Sequence, residues 1–377
     1  MAFEHYIRSG SRLLRCGYTT GTCAALAAAG ATELLLTGEA PKTVRLVTPK
    51  GLPVEVALEE CRRMEGGAGC AVRKDAGDDP DVTDGMLIRA TVRRTDRGIV
   101  IEGGEGVGRV TKPGLDQPVG AAAINSVPRQ MIASAVEDRC AALGYSGGLQ
   151  ICISAPGGDA VTKKTFNPML GIEGGISILG TSGIVEPMSE QAIVDTIAVE
   201  ARQARLLSDK LILVPGNYGM DFLLRQYPKL TEFPTVKVSN FIGDSLDIAA
   251  LEGFQAALLV GHIGKLVKLA GGIMNTHSKL ADGRMELFCA HAAVCGADRA
   301  LCEALMEQVT TDGCIAVLDQ AGLREAVLDS LLRAIQKHLA HRCGDKLQVG
   351  AVVFSNEYGF LGMTEGAAEL LKQWKAE

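Results

Sequence analysis

From residue 176 onward, five short apolar runs each end at the same kind of place. Ile176–Leu179 runs into Gly180-Thr181-Ser182-Gly183, and Leu211–Val214 into Pro215-Gly216-Asn217-Tyr218-Gly219. Val236–Val238 precedes Ser239-Asn240, Ala256–Val260 precedes Gly261-His262, and Val349–Phe354 comes last. A strand with one wet face alternates apolar and polar residues, whereas a strand covered on both faces is apolar throughout. Helix-like stretches lie between the runs: Ser189–Leu207 after Pro187, Ser245–Gly253, Ala290–Val309 and Glu325–His341. This alternation argues for a buried, mostly parallel sheet, a doubly wound α/β domain. Ligands of such sheets lie outside the carboxyl ends of the strands, which singles out the glycine-rich turns just named.

The first part of the chain has a different rhythm. Thr19, Thr20 and Thr22 offer capping hydroxyls around Gly21, and Cys23–Leu36 is an Ala/Leu-rich helix ended by Gly38 and Pro41. Val44–Thr48 and Val54–Leu58 flank Pro49-Lys50-Gly51 as a hairpin. Met86–Arg93 and Gly98–Glu102 read as a second pair, and Arg129–Leu143 as a helix after Pro128. The sum is an α+β domain over residues 1–146. Gly144 to Gly148 reads as a linker, and the α/β domain follows over 147–377. A chain of 377 residues exceeds what one core supports, which agrees with two domains.

A net charge of −6 argues against nucleic acid as a partner, although a local basic cluster can still hold a small anion. Eleven cysteines include no Cys-x-x-Cys pair, so no protein metal site is expected, and free thiols fit a reducing compartment. Residues 1–10 lack the apolar core of a signal peptide, and no run reaches the roughly 18 apolar residues of a membrane span. A cytoplasmic protein with no membrane partner is the expectation. Aromatics are scarce at 4% while glycines number 45, which suits loops that meet a ligand with backbone.

Several stretches carry candidate chemistry. Glu102-Gly103-Gly104-Glu105-Gly106-Val107-Gly108 follows a strand, but Thr111-Lys112-Pro113-Gly114 stops any helix there, and Arg109 replaces the third glycine of a dinucleotide fingerprint. A tight turn is the plainer reading. Gly261-His262-Ile263-Gly264-Lys265 lacks the first glycine and the hydroxyl of a phosphate loop, since Leu259 and Leu266 fill those places. It remains a strand-end anion or cofactor contact. Ala270 to Lys279, continuing to Asp282 and Arg284, is read as a binding loop with His277 in it. The stretch 72–85 sets five Asp beside Arg73 and Lys74 without calcium-loop spacing, and is either a charged surface turn or a polar substrate contact. Lys112, Lys163, Lys164, Lys265 and Lys279 are candidate cations, with Arg129. No Gly-x-Ser-x-Gly elbow is present.

Taken together these stretches resemble the CbiD family. The resemblance rests on Gly17-Tyr18-Thr19-Thr20-Gly21-Thr22-Cys23, Lys74-Asp75-Ala76-Gly77-Asp78-Asp79-Pro80-Asp81, Val110-Thr111-Lys112-Pro113-Gly114 and Thr165-Phe166-Asn167-Pro168. It continues through Gly174 to Thr181, Ser239-Asn240-Phe241-Ile242-Gly243, Gly261 to Lys265 and Asn275-Thr276-His277. Ser126 and Met169 stand where the family pattern would have Pro and Arg. The resemblance implies S-adenosylmethionine-dependent methylation of C1 of cobalt-precorrin-5B, giving cobalt-precorrin-6A in anaerobic cobalamin biosynthesis. Cobalt then belongs to the corrinoid substrate, and a homo-oligomer is possible. Within that frame the donor is expected against Gly180, Thr181, Gly183, Gly216, Asn217, His262 and Gly264. Substrate contacts are expected from Thr19, Thr20, Lys112, Lys163, Lys164 and Lys265, with His277 or Asp75 as a base. The rival expectations are a nicotinamide-dependent oxidoreductase and a non-catalytic corrinoid-binding protein.

Overall fold

Two five-stranded sheets organise the chain, each in its own compact unit, and the units divide between Ser189 and Glu190. The computed structural model describes residues 3–9 and 11–375. The fold is mixed α/β.

In the first unit the strands are β1 (Glu59–Met64), β2 (Gly67–Arg73), β3 (Leu87–Thr95), β4 (Ile99–Gly103) and β5 (Gly148–Ser154), in the order β1-β2-β3-β5-β4. The expected pairing of Met86–Arg93 with Gly98–Glu102 does not occur. β5 inserts between them, antiparallel to β3 and parallel to β4. Its sequence alternates, and Leu149, Ile151 and Ile153 are fully buried, so the segment after the Gly144–Gly148 turn completes the first core. The division therefore falls after Ser189, not at residue 146. The apolar run Ile176–Leu179 also belongs here. It is not a strand of the second sheet; Ile176 and Ile178 bridge to Val107 and Ile124.

Helices α1 (Thr20–Thr37) and α2 (Ser126–Ala142) pack on this sheet, followed by the short α3 (Gly158–Thr162) and α4 (Asn167–Leu170). The Thr19 hydroxyl caps α1 by accepting from Thr22 N at 3.2 Å, and Gly38, at φ +87°, closes its other end on the Leu34 carbonyl. α1 is buried nearly all round, so its residues are small. The hairpin foreseen around Pro49 forms from Thr43–Val47 and Pro53–Ala57.

The second unit holds β6 (Lys210–Val214), β7 (Thr235–Lys237), β8 (Ala256–His262), β9 (Gln348–Ser355) and β10 (Gly359–Met363), in the order β7-β6-β8-β9-β10. The first four are parallel neighbours and β10 is an antiparallel edge. Its helices are α5 (Glu190–Arg205), α6 (Asn217–Gln226), α7 (Ile242–Leu251), α8 (Ile263–Leu266), α9 (Arg284–Val294), α10 (Arg299–Met306), α11 (Thr311–Gln320), α12 (Arg324–Cys343) and α13 (Glu365–Lys375). Alternate strand residues serve opposite faces. Leu211, Leu213, Leu259 and Val353 join a core with Ile197, Leu246, Phe288 and Leu331, whereas Ile212, Val214, Leu258 and Phe354 join Phe222, Leu223, Leu370 and Trp374. Phe222 stacks on Phe354 at 4.4 Å. Each such side chain, fully buried, contributes roughly 1.5–3 kcal/mol. The expected helix Ala290–Val309 is two helices, because Gly296 at φ +94° turns the chain and Asp298 caps a new start by accepting from Leu301 N.

The glycines of 103–108 serve packing inside the first unit. Gly106 has φ +72°, and a Cβ there would lie 1.8 Å from the Ala155 carbonyl oxygen. Gly66 has φ +69° and open space around the same position. Gly106→Ala is therefore expected to lower stability in urea unfolding by about 3 kcal/mol or more, and Gly66→Ala by only about 1 kcal/mol. Equal losses would refute the steric account.

Candidate functional site

Chain order and spatial order part company in the second sheet between β6 and β8. From β6 the chain steps outward to β7, then returns to place β8 on the other side. In sheets of this kind, ligands are bound in the crevice beyond the carboxyl ends of the strands on either side of such a switch, here β6 and β8. Its rim is Pro215-Gly216-Asn217 after β6 and the turn from His262 into Ile263, Gly264 and Lys265 after β8.

Lys265 fastens this rim. Its Nζ donates to the Pro215 carbonyl at 2.5 Å and to the Ser239 carbonyl at 3.1 Å, joining the ends of β6 and β7 to α8. Burial, and the charge of nearby Lys268, push the Lys265 ammonium pKa below its ordinary value. Ser239 holds φ +50°, a left-handed conformation uncommon for a residue with a Cβ. Lys237 donates to the Asn217 side-chain oxygen at 3.1 Å. Gly216 is extended, and a Cβ there would meet nothing within 4 Å, so the crevice is open at that point.

A second lysine fixes the loop beside the rim. Lys268 is 3% exposed, and its Nζ donates to the carbonyls of Thr276 and Ala281 at 3.1 and 2.8 Å. Asn240 accepts from the Thr276 backbone and side chain, at 3.0 and 3.2 Å. Arg284 makes a two-pronged pair with Asp282, at 2.5 and 2.9 Å. Asn240, Gly264, Lys265, Lys268, Thr276, His277, Ser278 and Arg284 line a cavity of about 320 Å³.

Both loop histidines use Nδ1 as an acceptor, His262 from Gly264 N at 3.0 Å and His277 from Lys279 N at 3.1 Å. The neutral rings therefore carry hydrogen on Nε2 and offer a donor there. His277 in this state is a hydrogen-bond donor and not a ready base. Burial pushes the His262 pKa down against the opposing charge of Asp312. Asp312 in turn accepts from Ser355 at the end of β9, at 2.7 Å.

The other expected site residues lie in the first unit. The Thr20 hydroxyl accepts from Leu179 N at 3.0 Å, and the Thr22 hydroxyl donates to the Gly183 carbonyl at 2.6 Å. Gly180, at φ +125°, would set a Cβ 2.4 Å from Thr19 Cγ2. Thr19, Thr20, Gly180 and Gly183 thus sew the turn to the start of α1, with their polar groups engaged. Thr181 is exposed and, with Arg45 and Arg139, lines a groove of about 650 Å³. Lys112, Lys163 and Lys164 are exposed around α3 and α4, where Lys112 reaches the Met169 carbonyl at 3.2 Å. Asp75 is held by Arg15 through two bonds of 2.6 and 2.7 Å and accepts from Gly77 N, which keeps its pKa below the usual carboxylate range. A carboxylate so held is an anchor and a poor base. Its neighbours are committed likewise: Lys74 to Asp81 at 2.6 Å, Asp78 to Arg15 N, Asp84 to Ala76 N. The stretch 72–85 is internal glue. The structure brings together Gly216, Asn217, His262, Gly264, Lys265 and His277 along one edge of the second unit, and Thr19, Thr20, Gly180, Thr181 and Gly183 at another place in the first. Lys268 was not foreseen as a site residue. The signal was present, a lone charge inside Leu266-Val267-Lys268-Leu269-Ala270, since a lysine is almost never buried without partners.

The family described as CbiD matches residues 7–187, and the one described as CbiD, C-terminal domain, matches residues 275–365. A cobalt-precorrin-5B C(1)-methyltransferase of Ruminiclostridium cellulolyticum is 46% identical over 98% of both chains. Its counterpart from Alkaliphilus metalliredigens is 44% identical over 99% of this chain and 98% of its own. A crystal structure of a cobalamin biosynthesis protein (CbiD) from Archaeoglobus fulgidus is 30% identical and covers 74% of this chain and 87% of its own, with a TM-score of 0.41.

The Asp75 anchor gives a pH signature. A carboxylate whose folded pKa is depressed stabilises the fold above its unfolded pKa, and that contribution is lost as pH falls through the folded value. Asp75→Asn is expected to cost about 1–3 kcal/mol in urea unfolding at pH 7. The variant and the parent should converge as pH falls through the depressed folded pKa of Asp75, where the parent's carboxylate is also neutral. A gap that persists in acid would show that the charge is not what holds the loop.

Proposed function

The chain belongs to the CbiD family, and from that premise we propose how its residues carry out the family's reaction. It methylates C1 of cobalt-precorrin-5B, a step of anaerobic cobalamin biosynthesis. The observation that carries this reading is 46% identity extending over 98% of both chains. The cobalt is part of the substrate.

In our reading S-adenosylmethionine is the donor, and the second unit is a Rossmann-like, doubly wound domain that holds it at the crevice between β6 and β8. The residues there fit such a molecule. Gly216 leaves its backbone open, and α6 begins with neither a side-chain cap nor an acidic residue in its first turn. Its free N–H groups suit the donor's carboxylate. Asn217 and Gly264 would border the donor, and His262 would present Nε2–H to it. Bound, the donor supplies a methyl group already activated on a sulfonium.

The protein's own contribution is then positioning. Lys265 fixes the strand ends so that the rim keeps its shape, and the loop held by Lys268 can shield the crevice edge from water. Asp75 maintains the fold in this scheme, and His277 donates a hydrogen bond. The corrinoid is the small-molecule partner.

Mass spectrometry of the purified protein with cobalt-precorrin-5B and methyl-labelled donor is expected to show the gain of one labelled methyl. Binding of the macrocycle without that gain would leave a non-catalytic carrier. S-adenosylhomocysteine is expected to bind where NADPH does not; the reverse would favour an oxidoreductase. Gly216→Val, in a backbone conformation any residue adopts, is expected to fold normally and to raise the donor KM about tenfold or more by filling the crevice. An unchanged donor KM would move the donor elsewhere.

A further inference from the structure

The cavity beside the crevice carries more positive charge than its surroundings balance. Lys265, Lys268 and Arg284 line it, and among the described residues the carboxylate that pairs with them is Asp282, 3.7 Å from Lys268 Nζ and already engaged by Arg284. Lys268 is buried, and burial together with the Lys268 charge lowers the Lys265 pKa. Bringing two like charges together out of water is costly unless an anion offsets them. The remaining lining groups, Asn240, Thr276, Ser278 and His277, are all hydrogen-bonding. A cation is repelled here.

We propose that this cavity is a carboxylate-binding subsite that receives one anionic side arm of the macrocycle, with Arg284 and Lys268 selecting for it. This inference rests on the methyl-transfer reading above. The donor has a place of its own at Gly216 and the start of α6, while the cavity shares only Gly264 and Lys265 with that rim. An arm seated here fixes the orientation of the ring relative to the crevice, which converts binding energy into alignment of the acceptor carbon. A planar guanidinium partly engaged by Asp282 can turn to a second carboxylate with two parallel bonds.

The test uses Arg284→Gln and Lys268→Met in the full chain, with Arg299→Gln as a control, since Arg299 is 91% exposed and pairs only with Glu303. Titration calorimetry with cobalt-precorrin-5B alone is expected to show binding weakened about tenfold or more in Arg284→Gln, and unchanged in the control. Steady-state KM for the macrocycle should rise in parallel and KM for the donor should not. Lys268→Met removes the amine that holds the 276–281 loop, and Arg284→Gln loses the pair with Asp282, so the folding of both is checked by circular dichroism; Arg284→Gln keeps the Lys268 bonds to the Thr276 and Ala281 carbonyls and decides the matter. The donor's own carboxylate is the competing source. If Arg284→Gln weakens S-adenosylhomocysteine and spares methylthioadenosine, which lacks that carboxylate, the cavity belongs to the donor and the proposal falls. Normal macrocycle affinity in Arg284→Gln also overturns it. Weakened macrocycle binding in a protein that transfers no methyl would preserve the subsite while the catalytic reading fails.

Discussion

One ammonium group holds the working edge of the second unit in shape. Lys265 reaches from the turn after β8 to the carbonyls that end β6 and follow β7, so three strand ends share a single donor. Strand ends are where a buried parallel sheet must expose unpaired backbone, and their carbonyls need partners. A charged donor meets that need with stronger bonds than a neutral one. It also leaves a positive centre at the place where an anionic ligand would arrive. The left-handed Ser239 and the loop pinned by Lys268 are arranged around the same point. In the proposed reading, the residues that hold this edge in shape also meet the ligand.

The first unit shows the complementary use of polar residues. Its charged loop at 72–85 and its threonine-rich helix start look reactive in sequence, yet their groups are satisfied within the unit. Arg15 with Asp75 and Lys74 with Asp81 are ion pairs that staple the loop, and Tyr18 donates to the Arg73 carbonyl at 2.9 Å. The glycines nearby permit close approach of backbone to backbone. A Cβ on Gly17 would lie 2.2 Å from the Asp75 carbonyl oxygen. Dense glycine around Gly17 and Gly106 therefore marks self-packing in this unit, whereas Gly216 of the second unit has open space beside it.

The sequence showed the second sheet's parallel strands clearly, because Leu211–Val214, Ala256–Val260 and Val349–Phe354 are apolar at every position and only a doubly covered strand tolerates that. It also showed the start of α1, where Thr19 caps as its chemistry dictates. β5 was hidden because Gly148 opens it directly after a glycine-rich turn that resembles a linker. The run Ile176–Leu179 misled for the opposite reason. It has the composition of a buried strand but is buried by bridges to Val107 and Ile124, partners that no local pattern reveals. The candidate edge was legible to the extent that strand ends are legible: Gly216, Asn217, His262, Gly264 and Lys265 follow the strands of the second sheet, and the rule for parallel sheets names such positions as candidates. The roles of Asp75 and His277 were not, since they depend on Arg15, sixty residues away, and on which imidazole nitrogen the Lys279 backbone occupies.

The central claim is that the methyl donor sits at the crevice between β6 and β8. Hydrogen–deuterium exchange of the full chain with and without S-adenosylhomocysteine tests it directly. The account predicts slowed exchange at the amides of residues 216–219 and 262–265, with residues 177–183 unchanged. Protection confined to 177–183 would contradict it and assign the donor to the turn sewn onto α1.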